Sequence, residues 1–263
     1  MRPLITLTTD FGQGSPYVAQ IKGAILSGCR EVDLVDVTHA VGPQNVREAA
    51  VVLADATPRF PAGTIHLAVV DPGVGTQRRL VYAEIGQQRY LAPDNGLLTL
   101  LAHKSPPTRI VALANRRYWA AEPSSTFHGR DILAPVAAHL ARGVDPADLG
   151  PPLETLVLLN IPQPMRSAGS VAGEVLYVDS FGNLITNIGR DDLELLGDLA
   201  RLSIECAGRS LPGLVPTYAS AGDGQLVALV DSQSRLEIAL VGGHAAGELG
   251  AGVGTAVRVL GNL

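Results

Sequence analysis

A short polar stretch directly after a predicted buried strand has the residue types of an active site. The apolar run Ile65 to Val70 ends in Asp71, and two arginines, Arg78 and Arg79, follow closely. In open α/β sheets ligands bind beyond the carboxyl ends of the strands, so Asp71 is predicted to face a crevice. A carboxylate there can activate a water molecule, and an arginine can hold an anion with its forked donors. Asp71-Pro72-Gly73 is also a common surface-turn sequence, so both interpretations remain open.

Two further strands of the amino-terminal half end in polar residues. Leu4–Thr8 is followed by Asp10, and Val32–Val37 is followed by His39. The apolar residues between these strands recur with helical spacing, which predicts β-α-β units with parallel strands and right-handed crossovers. Asp10, His39 and Asp71 are therefore predicted to lie at one edge of a parallel sheet.

A histidine precedes a predicted helix later in the same half. His128 and Gly129 lie just before the apolar run Ile132 to Leu140, and the start of such a helix is predicted to leave backbone N–H groups free to face a ligand. A single loop histidine is more often a hydrogen-bonded surface group than a catalytic one. The residue pattern alone therefore leaves the role of His128 open.

The chain is long enough for two unequal domains, since it has 263 residues. A proline-rich stretch between residues 149 and 170 predicts a hinge, and we place the boundary at residue 163. Residues 1–163 are predicted to form a mainly parallel α/β/α domain. Residues 164–263 contain short β-rich runs separated by glycine, which predict a small antiparallel β-barrel. The fold class is therefore α/β, with a barrel as the second domain.

Composition excludes several classes of function. The net charge is -5 and the arginines are dispersed, which argues against a nucleic-acid partner. There is no run of about 18 apolar residues that could span a bilayer, and the start of the sequence lacks the pattern of a secretory leader. We therefore predict a cytoplasmic protein with no membrane partner. Dinucleotide and phosphate-loop motifs are also absent from the sequence.

Several separated motifs, spread over nearly the full chain, resemble one family. They are Thr8-Thr9-Asp10-Phe11-Gly12, Val37-Thr38-His39, Asp71 to Arg79, Thr126-Phe127-His128-Gly129-Arg130-Asp131, Asp179-Ser180-Phe181-Gly182-Asn183 and Leu236-Glu237-Ile238-Ala239. Together they resemble the S-adenosyl-L-methionine hydrolases that form adenosine, also called hydroxide adenosyltransferases. These enzymes are relatives of those that make fluorinated and chlorinated adenosine. The resemblance implies hydrolysis of S-adenosyl-L-methionine to adenosine and L-methionine, by attack of water or hydroxide at ribose C5′.

The resemblance also implies a role for individual residues. Asp71, Arg78 and His128 correspond to the catalytic trio, with Arg79 as the less favoured neighbour of Arg78. Asp10 corresponds to the acid that holds the ribose hydroxyls. The positions that correspond to methionine and adenine contacts are Asp179, Phe181, Asn183 and Ser232.

The implied assembly is a homotrimer. Each active site is then expected between the amino-terminal domain of one subunit and the barrel of the next, with no metal and no separate cofactor. Three residues depart from the family pattern. Gln44 replaces an aromatic residue of the halogenating relatives, and Val241 and His244 occupy positions where many relatives carry asparagine.

Three alternatives remain beside the hydrolase. A halogenase is disfavoured because a carboxylate at Asp71 would repel a nearby halide by about 1 to 4 kcal/mol. A metal-dependent phosphoesterase would use Asp10, Asp71, Asp94 and His128 as ligands, but the metal would lie beside the positive charge of Arg78. A protein that binds adenosine or S-adenosyl-L-methionine without turnover is the non-enzymatic alternative.

Overall fold

The computed structural model describes residues 2–261, which form two compact units divided between Leu159 and Asn160. The first unit is an α/β domain, and the second is an antiparallel, barrel-like sheet. The predicted fold class is thereby confirmed.

The first unit is built on a six-stranded sheet. Its strands are β1 Leu4–Thr9, β2 Asp33–Thr38, β3 Ile65–Val69, β4 Leu80–Ile85, β5 Gln88–Pro93 and β6 Arg109–Ala112. The strand order is β2-β1-β3-β5-β4-β6, and only β4 runs against its neighbours. Because β1, β2 and β3 are adjacent and parallel, Asp10, His39 and Asp71 follow strand ends at the same edge of the sheet, as predicted.

Helices cover both faces of this sheet. They are α1 Pro16–Gly28, α2 Val46–Ala56, α3 Thr99–Lys104 and α4 Ala134–Ala141. Polar caps start two of them: the Ser15 side chain accepts the N–H of Tyr17, and the Asn45 side chain accepts the N–H of Glu48. Such caps satisfy backbone donors that have no partner inside the helix.

The central strand β3 is buried on both of its faces. Leu67 and Val69 pack into the core beneath α1 and α4, whereas Ala68 and Val70 pack into the core beneath α2 and α3. A strand covered on both faces is expected to be apolar along its length, and β3 is so except at His66. The apolar residues therefore end at Val70, where the chain leaves the apolar core, and the polar residue Asp71 follows.

A buried histidine also lies on β3. The Nδ1 atom of His66 is 2.7 Å from the hydroxyl of Thr6, and its ring stacks on Tyr90 at 5.1 Å between centroids. Burial lowers the pKa of His66 from 6.5 to about 4. The imidazole is therefore neutral across the physiological pH range.

Acid should destabilise the fold through His66. The unfolded chain binds a proton at this residue near pH 6.5, whereas the folded protein binds it only near pH 4. We expect this difference to remove about 3 kcal/mol of the free energy of unfolding between neutral pH and pH 4. Urea unfolding across this range should show a smaller loss for His66→Gln than for the wild type. The control is His103→Gln, which removes an exposed histidine and leaves His66 in place. Equal slopes in all three proteins would contradict the assignment.

The second unit is a sheet of short antiparallel strands. They are β7 Met165–Ser167, β8 Ser170–Val178, β9 Leu184–Gly189, β10 Ser203–Cys206, β11 Arg209–Pro212, β12 Leu226–Val230, β13 Arg235–Leu240 and β14 Ala256–Leu260. Their order is β11-β10-β14-β8-β9-β13-β12, with β7 paired to β8. Just after β11, the N–H of Val215 donates to the carbonyl of Ala228 on β12 at 2.9 Å, which nearly closes the sheet into a barrel.

Two short helices, α5 Arg190–Glu194 and α6 Ala245–Leu249, complete this unit. One apolar core fills its interior, with Val175, Ile204 and Ile238 fully buried. Across residues 2–261, every helix is too short or too polar to span a bilayer.

Candidate active site

Asp71 and Arg78 form a buried ion pair beyond the end of β3. The Nε atom of Arg78 lies 2.7 Å from both carboxylate oxygens of Asp71, and Nη2 also donates to Oδ2. Only 7% of the Asp71 side chain and 10% of the Arg78 side chain are exposed. Because a planar guanidinium makes several directed hydrogen bonds at once, it fixes both the position and the orientation of this carboxylate.

The same guanidinium contacts His128. Nη2 of Arg78 lies 3.0 Å from Nδ1 of the imidazole. A guanidinium has only donors, so Nδ1 accepts this hydrogen bond and the neutral ring carries its proton on Nε2. Burial and the positive charge of Arg78 lower the pKa of His128, although Asp71 and Asp131 act in the opposite direction. The structure thus presents His128 as a neutral group whose remaining nitrogen is a donor.

Gly75 lets the loop of Arg78 approach the loop of His128. Its φ is +81°, and a Cβ atom at this position would lie 2.8 Å from the carbonyl oxygen of Ser125. Any other residue at position 75 would be strained, because its backbone would have a positive φ and its Cβ atom would clash with Ser125. The close approach at Gly75 is therefore made to protein backbone.

Gly129 has a similar role beneath His128. A Cβ atom there would lie 3.2 Å from both methyl groups of Val69, so the loop packs directly on the end of β3. Two of the N–H groups at the start of this turn have acceptors within the protein. The N–H groups of Arg130 and Asp131 both donate to the carbonyl of Phe127 at 3.1 Å, because the chain forms a π-turn over Gly129–Leu133 before α4 begins.

Arg79 has a different partner from Arg78. Its Nε donates to Asp94 at 2.8 Å, and the other oxygen of Asp94 accepts the N–H of Val157 at 2.7 Å. Asp94 is almost fully buried. The geometry therefore selects Arg78 as the arginine that holds Asp71, and it gives Arg79 a structural contact.

The proposed metal ligands do not come together. The carboxylate of Asp94 is engaged by Arg79, and that of Asp71 is engaged by Arg78. In the part of the chain that the structure describes, no three His, Cys, Asp or Glu side chains are grouped as a metal site.

Asn95 supports the active loop in a way that the sequence did not indicate. Its side-chain amide donates to the carbonyl of Val70 at 2.9 Å, directly before Asp71. Asn-Gly is a common turn sequence, so Asn95-Gly96 by itself predicts only a turn. No local pattern predicts that its amide reaches back to the end of β3.

Asp10 is held at the same edge of the sheet by the loop after β2. Its Oδ2 accepts the backbone N–H of Gln44 at 2.7 Å. Gln44 has a φ of +62°, a conformation that non-glycine residues rarely adopt. Two hydrogen bonds to His39 hold the segment around Asp10. The carbonyl of His39 accepts the N–H of Gly12 at 2.8 Å, and Nδ1 of the His39 ring lies 2.9 Å from the hydroxyl of Thr9. The carboxylate of Asp10 is therefore oriented by backbone rather than by a cation.

A cavity of about 570 Å³ adjoins Arg78 and His128. Arg78 and His128 form part of its wall, together with Ser124 and Ser125. Trp119 contributes an apolar surface that Arg116 covers at 5.5 Å from the ring. Solvent in this cavity can therefore reach Arg78 and His128.

Three of the predicted binding residues of the barrel lie in one turn. Oδ1 of Asp179 accepts the N–H groups of Phe181 and Asn183 at 2.9 Å, and Oδ2 accepts the side-chain amide of Asn183 at 3.0 Å. These bonds order the turn between β8 and β9. They leave the Phe181 ring 73% exposed, which is unusual for an aromatic side chain and suits a flat ligand.

Ser232 lies in a different turn. It precedes β13, where Arg235 pairs with Gly189, whereas the Asp179–Asn183 turn adjoins the opposite end of β13. At that end a Cβ atom on Gly182 would meet the His244 ring. The structure therefore brings Asp179, Phe181 and Asn183 together but separates Ser232 from them by the length of a strand.

A buried acid lies between these two turns. Glu237, on β13, accepts a hydrogen bond from the Tyr218 hydroxyl at 2.6 Å. Its pKa is raised by burial and by the negative charges of Asp179 and Asp231. Glu237 lies in Leu236-Glu237-Ile238-Ala239, one of the stretches that resemble the family, whereas no sequence pattern predicts its contact with Tyr218.

Family models for the N-terminal and C-terminal domains of SAM hydroxide adenosyltransferases match residues 5–150 and 173–258. A protein from Salinispora tropica named (R)-S-adenosyl-L-methionine hydrolase is 42% identical over 98% of this chain and 97% of that one. A fluorinase from an Actinoplanes species is 34% identical over 90% of each chain. A crystal structure of an uncharacterized conserved protein from Thermotoga maritima is similar with a TM-score of 0.92 and 36% identity, over 97% of this chain and 99% of that one. The two matched domains span most of the sequence, and this chain therefore belongs to the SAM hydroxide adenosyltransferase family.

Proposed function

We propose that this protein hydrolyses S-adenosyl-L-methionine to adenosine and L-methionine. In this reaction an oxygen–C5′ bond forms, the C5′–sulfur bond breaks with its electron pair moving to sulfur, and one proton is released from water. The observation that carries the proposal is the carboxylate of Asp71, held by Arg78 beside a neutral His128. Family membership supports the same chemistry.

The leaving group needs little help in this reaction. Methionine departs as a neutral sulfide, so no acid has to protonate it, and the catalytic demand falls on the water. Asp71 orients this water and accepts its proton. Nε2–H of His128 donates to the water oxygen, and Arg78 holds both groups. Correct alignment of water and carbon can contribute about 7 to 11 kcal/mol, so geometry carries much of the catalysis.

The remaining predicted residues bind the substrate in this proposal. Asp10 accepts hydrogen bonds from the ribose hydroxyls. In the barrel, Asp179, Phe181, Asn183 and Ser232 bind the adenine and the methionine end. We further propose a cytoplasmic homotrimer that needs no metal or cofactor. Light scattering tests the trimer, since it should give three times the mass of one chain.

A product assay tests the reaction. The pure protein is incubated with the R and S sulfonium epimers separately, and adenosine and methionine are measured by chromatography. Adenosine and methionine should form in equal amounts, and a chelator should not change the rate. Bound substrate without any adenosine above the blank would instead indicate a binding protein.

The halogenase alternative is tested in the same assay. Fluorinases are relatives of this chain, but the Asp71 carboxylate repels an anion at the nucleophile position. We therefore expect adenosine as the sole nucleoside product even in high chloride. Chlorinated adenosine in that sample would favour the halogenase.

A further inference from the structure

Three aromatic rings meet at the edge of the sheet where Asp10 and His128 lie. Phe11, Tyr17 and Phe127 contact one another in pairs, with centroids 5.2 to 5.7 Å apart and interplanar angles of 67 to 78°. All three pairs are edge-to-face, which is a favoured geometry for aromatic rings. Tyr17 is 51% exposed, so core burial does not explain why this ring lies there.

The cluster joins the two loops that carry predicted site residues. Phe11 directly follows Asp10, and Phe127 directly precedes His128. Tyr17, in the first turn of α1, contacts both rings and closes the triangle. Neither Phe11 nor Phe127 can shift by much without moving the neighbouring polar residue.

A polar contact reinforces the same junction. Arg130 lies over the Phe127 ring, with its guanidinium carbon 5.1 Å from the centroid. Its Nη1 donates to the side chain of Gln20 on α1 at 2.9 Å. The loop of His128 is thus attached to α1 twice, once through aromatic edges and once through a hydrogen bond.

We propose that Phe11, Tyr17 and Phe127 are positioning residues that fix the placement of His128 relative to Asp10. This inference rests on the proposed function, in which Asp10 anchors the ribose and His128 orients the attacking water. The ribose carries the reacting C5′ carbon, so the separation of these two residues decides whether water and carbon are in line. A displacement of about 1 Å can lower a rate by about 100-fold.

Substitutions at Tyr17 test the cluster without threatening the fold, because this side chain is half exposed. Tyr17→Leu keeps an apolar side chain but removes the ring, and we expect kcat to fall about 10-fold while KM changes by less than about threefold. Tyr17→Phe keeps the ring and should restore the wild-type kcat. Leu26→Ala, at another exposed apolar residue of α1, is the matched control and should leave kcat and KM unchanged.

The pH profile provides a second readout. A loosened loop admits water to His128 and so reduces the burial that chiefly lowers its pKa. The pKa should therefore rise: Asp71 and Asp131 also raise it, and only Arg78 opposes the rise. The acid limb of kcat/KM should therefore move to higher pH in Tyr17→Leu and stay in place in Tyr17→Phe.

The outcomes separate this inference from the proposed function. If the wild type forms adenosine and Tyr17→Leu changes only the melting temperature, the ring is merely structural and the inference is wrong. If the wild type binds the substrate and forms no adenosine, the proposed function fails and the inference fails with it. A lower kcat with a shifted acid limb, both reversed in Tyr17→Phe, supports the positioning role.

Discussion

Asp71→Asn should lower kcat by about 100-fold to 10,000-fold, the range typical for loss of a general base. Asparagine has nearly the same size and can still accept a hydrogen bond from Arg78, but its amide cannot take a proton from water. Substrate affinity should change much less than kcat, because Asp71 acts on the nucleophile. Initial rates of adenosine formation at saturating substrate, together with a direct binding measurement, give both quantities.

The same unit offers a matched control for this substitution. Asp94 is also a buried carboxylate paired with an arginine, yet its partner is Arg79 and its second contact is a backbone N–H. Asp94→Asn should therefore lower the free energy of unfolding by about 1 to 3 kcal/mol and leave kcat within about twofold of the wild type. Wild-type turnover by Asp71→Asn would exclude Asp71 as the base, whatever the stability of either variant.

The arrangement of polar residues at the sheet edge was predictable because it follows from local patterns. Up to Asp71, apolar runs of strand length alternate with segments whose apolar residues have helical spacing. Strands connected in this way are parallel and end at the same edge of the sheet. This reasoning placed Asp10, His39 and Asp71 correctly from the sequence alone. It requires no knowledge of which side chains meet across the fold.

The partners of the two arginines were not predictable in the same way. Arg78 and Arg79 are adjacent, and both are long enough to reach a nearby acid. The choice is decided by Asp94, which follows β5 and takes Arg79, so that Arg78 is left to pair with Asp71. The antiparallel pairing of β4 with β5 sets Leu80 opposite Pro93 and so places Asp94 directly beside Arg79. Resemblance to the family favoured Arg78, and the structure supplies the physical reason.

Contacts between distant segments explain what the sequence did not reveal. Gly75 is needed because a carbonyl of another loop lies where its Cβ would be. The bond from Tyr218 to Glu237 joins a short 3-10 turn to the middle of a strand. The strands β7 and β11 are not predictable from the sequence, because they are short and carry no alternating apolar pattern. Their pairing with β8 and β10 defines them.

Arg78→Met should combine a loss of turnover with a change in pH dependence. Methionine fills similar space but makes none of the hydrogen bonds that hold Asp71 and His128, so we expect kcat to fall about 100-fold. The positive charge of Arg78 contributes to the low pKa of His128, and its removal should raise that pKa. Activity that requires neutral His128 is lost as the pH falls through this pKa, so the acid limb should move to higher pH. NMR titration of the His128 ring measures the same shift directly.

Two further substitutions separate the charge of Arg78 from its geometry. Arg78→Lys keeps a positive charge near His128, but a single ammonium group cannot reproduce the forked contacts to both partners. Its kcat should fall nearly as far as that of Arg78→Met, while its acid limb should stay close to the wild-type position. Arg79→Met removes the neighbouring guanidinium and should change neither property, although it weakens the fold through Asp94. If Arg79→Met and Arg78→Met lowered kcat equally, the assignment of Arg78 as the residue that orients the trio would be wrong, because Arg79 bonds to Asp94 and Thr155 and not to Asp71 or His128.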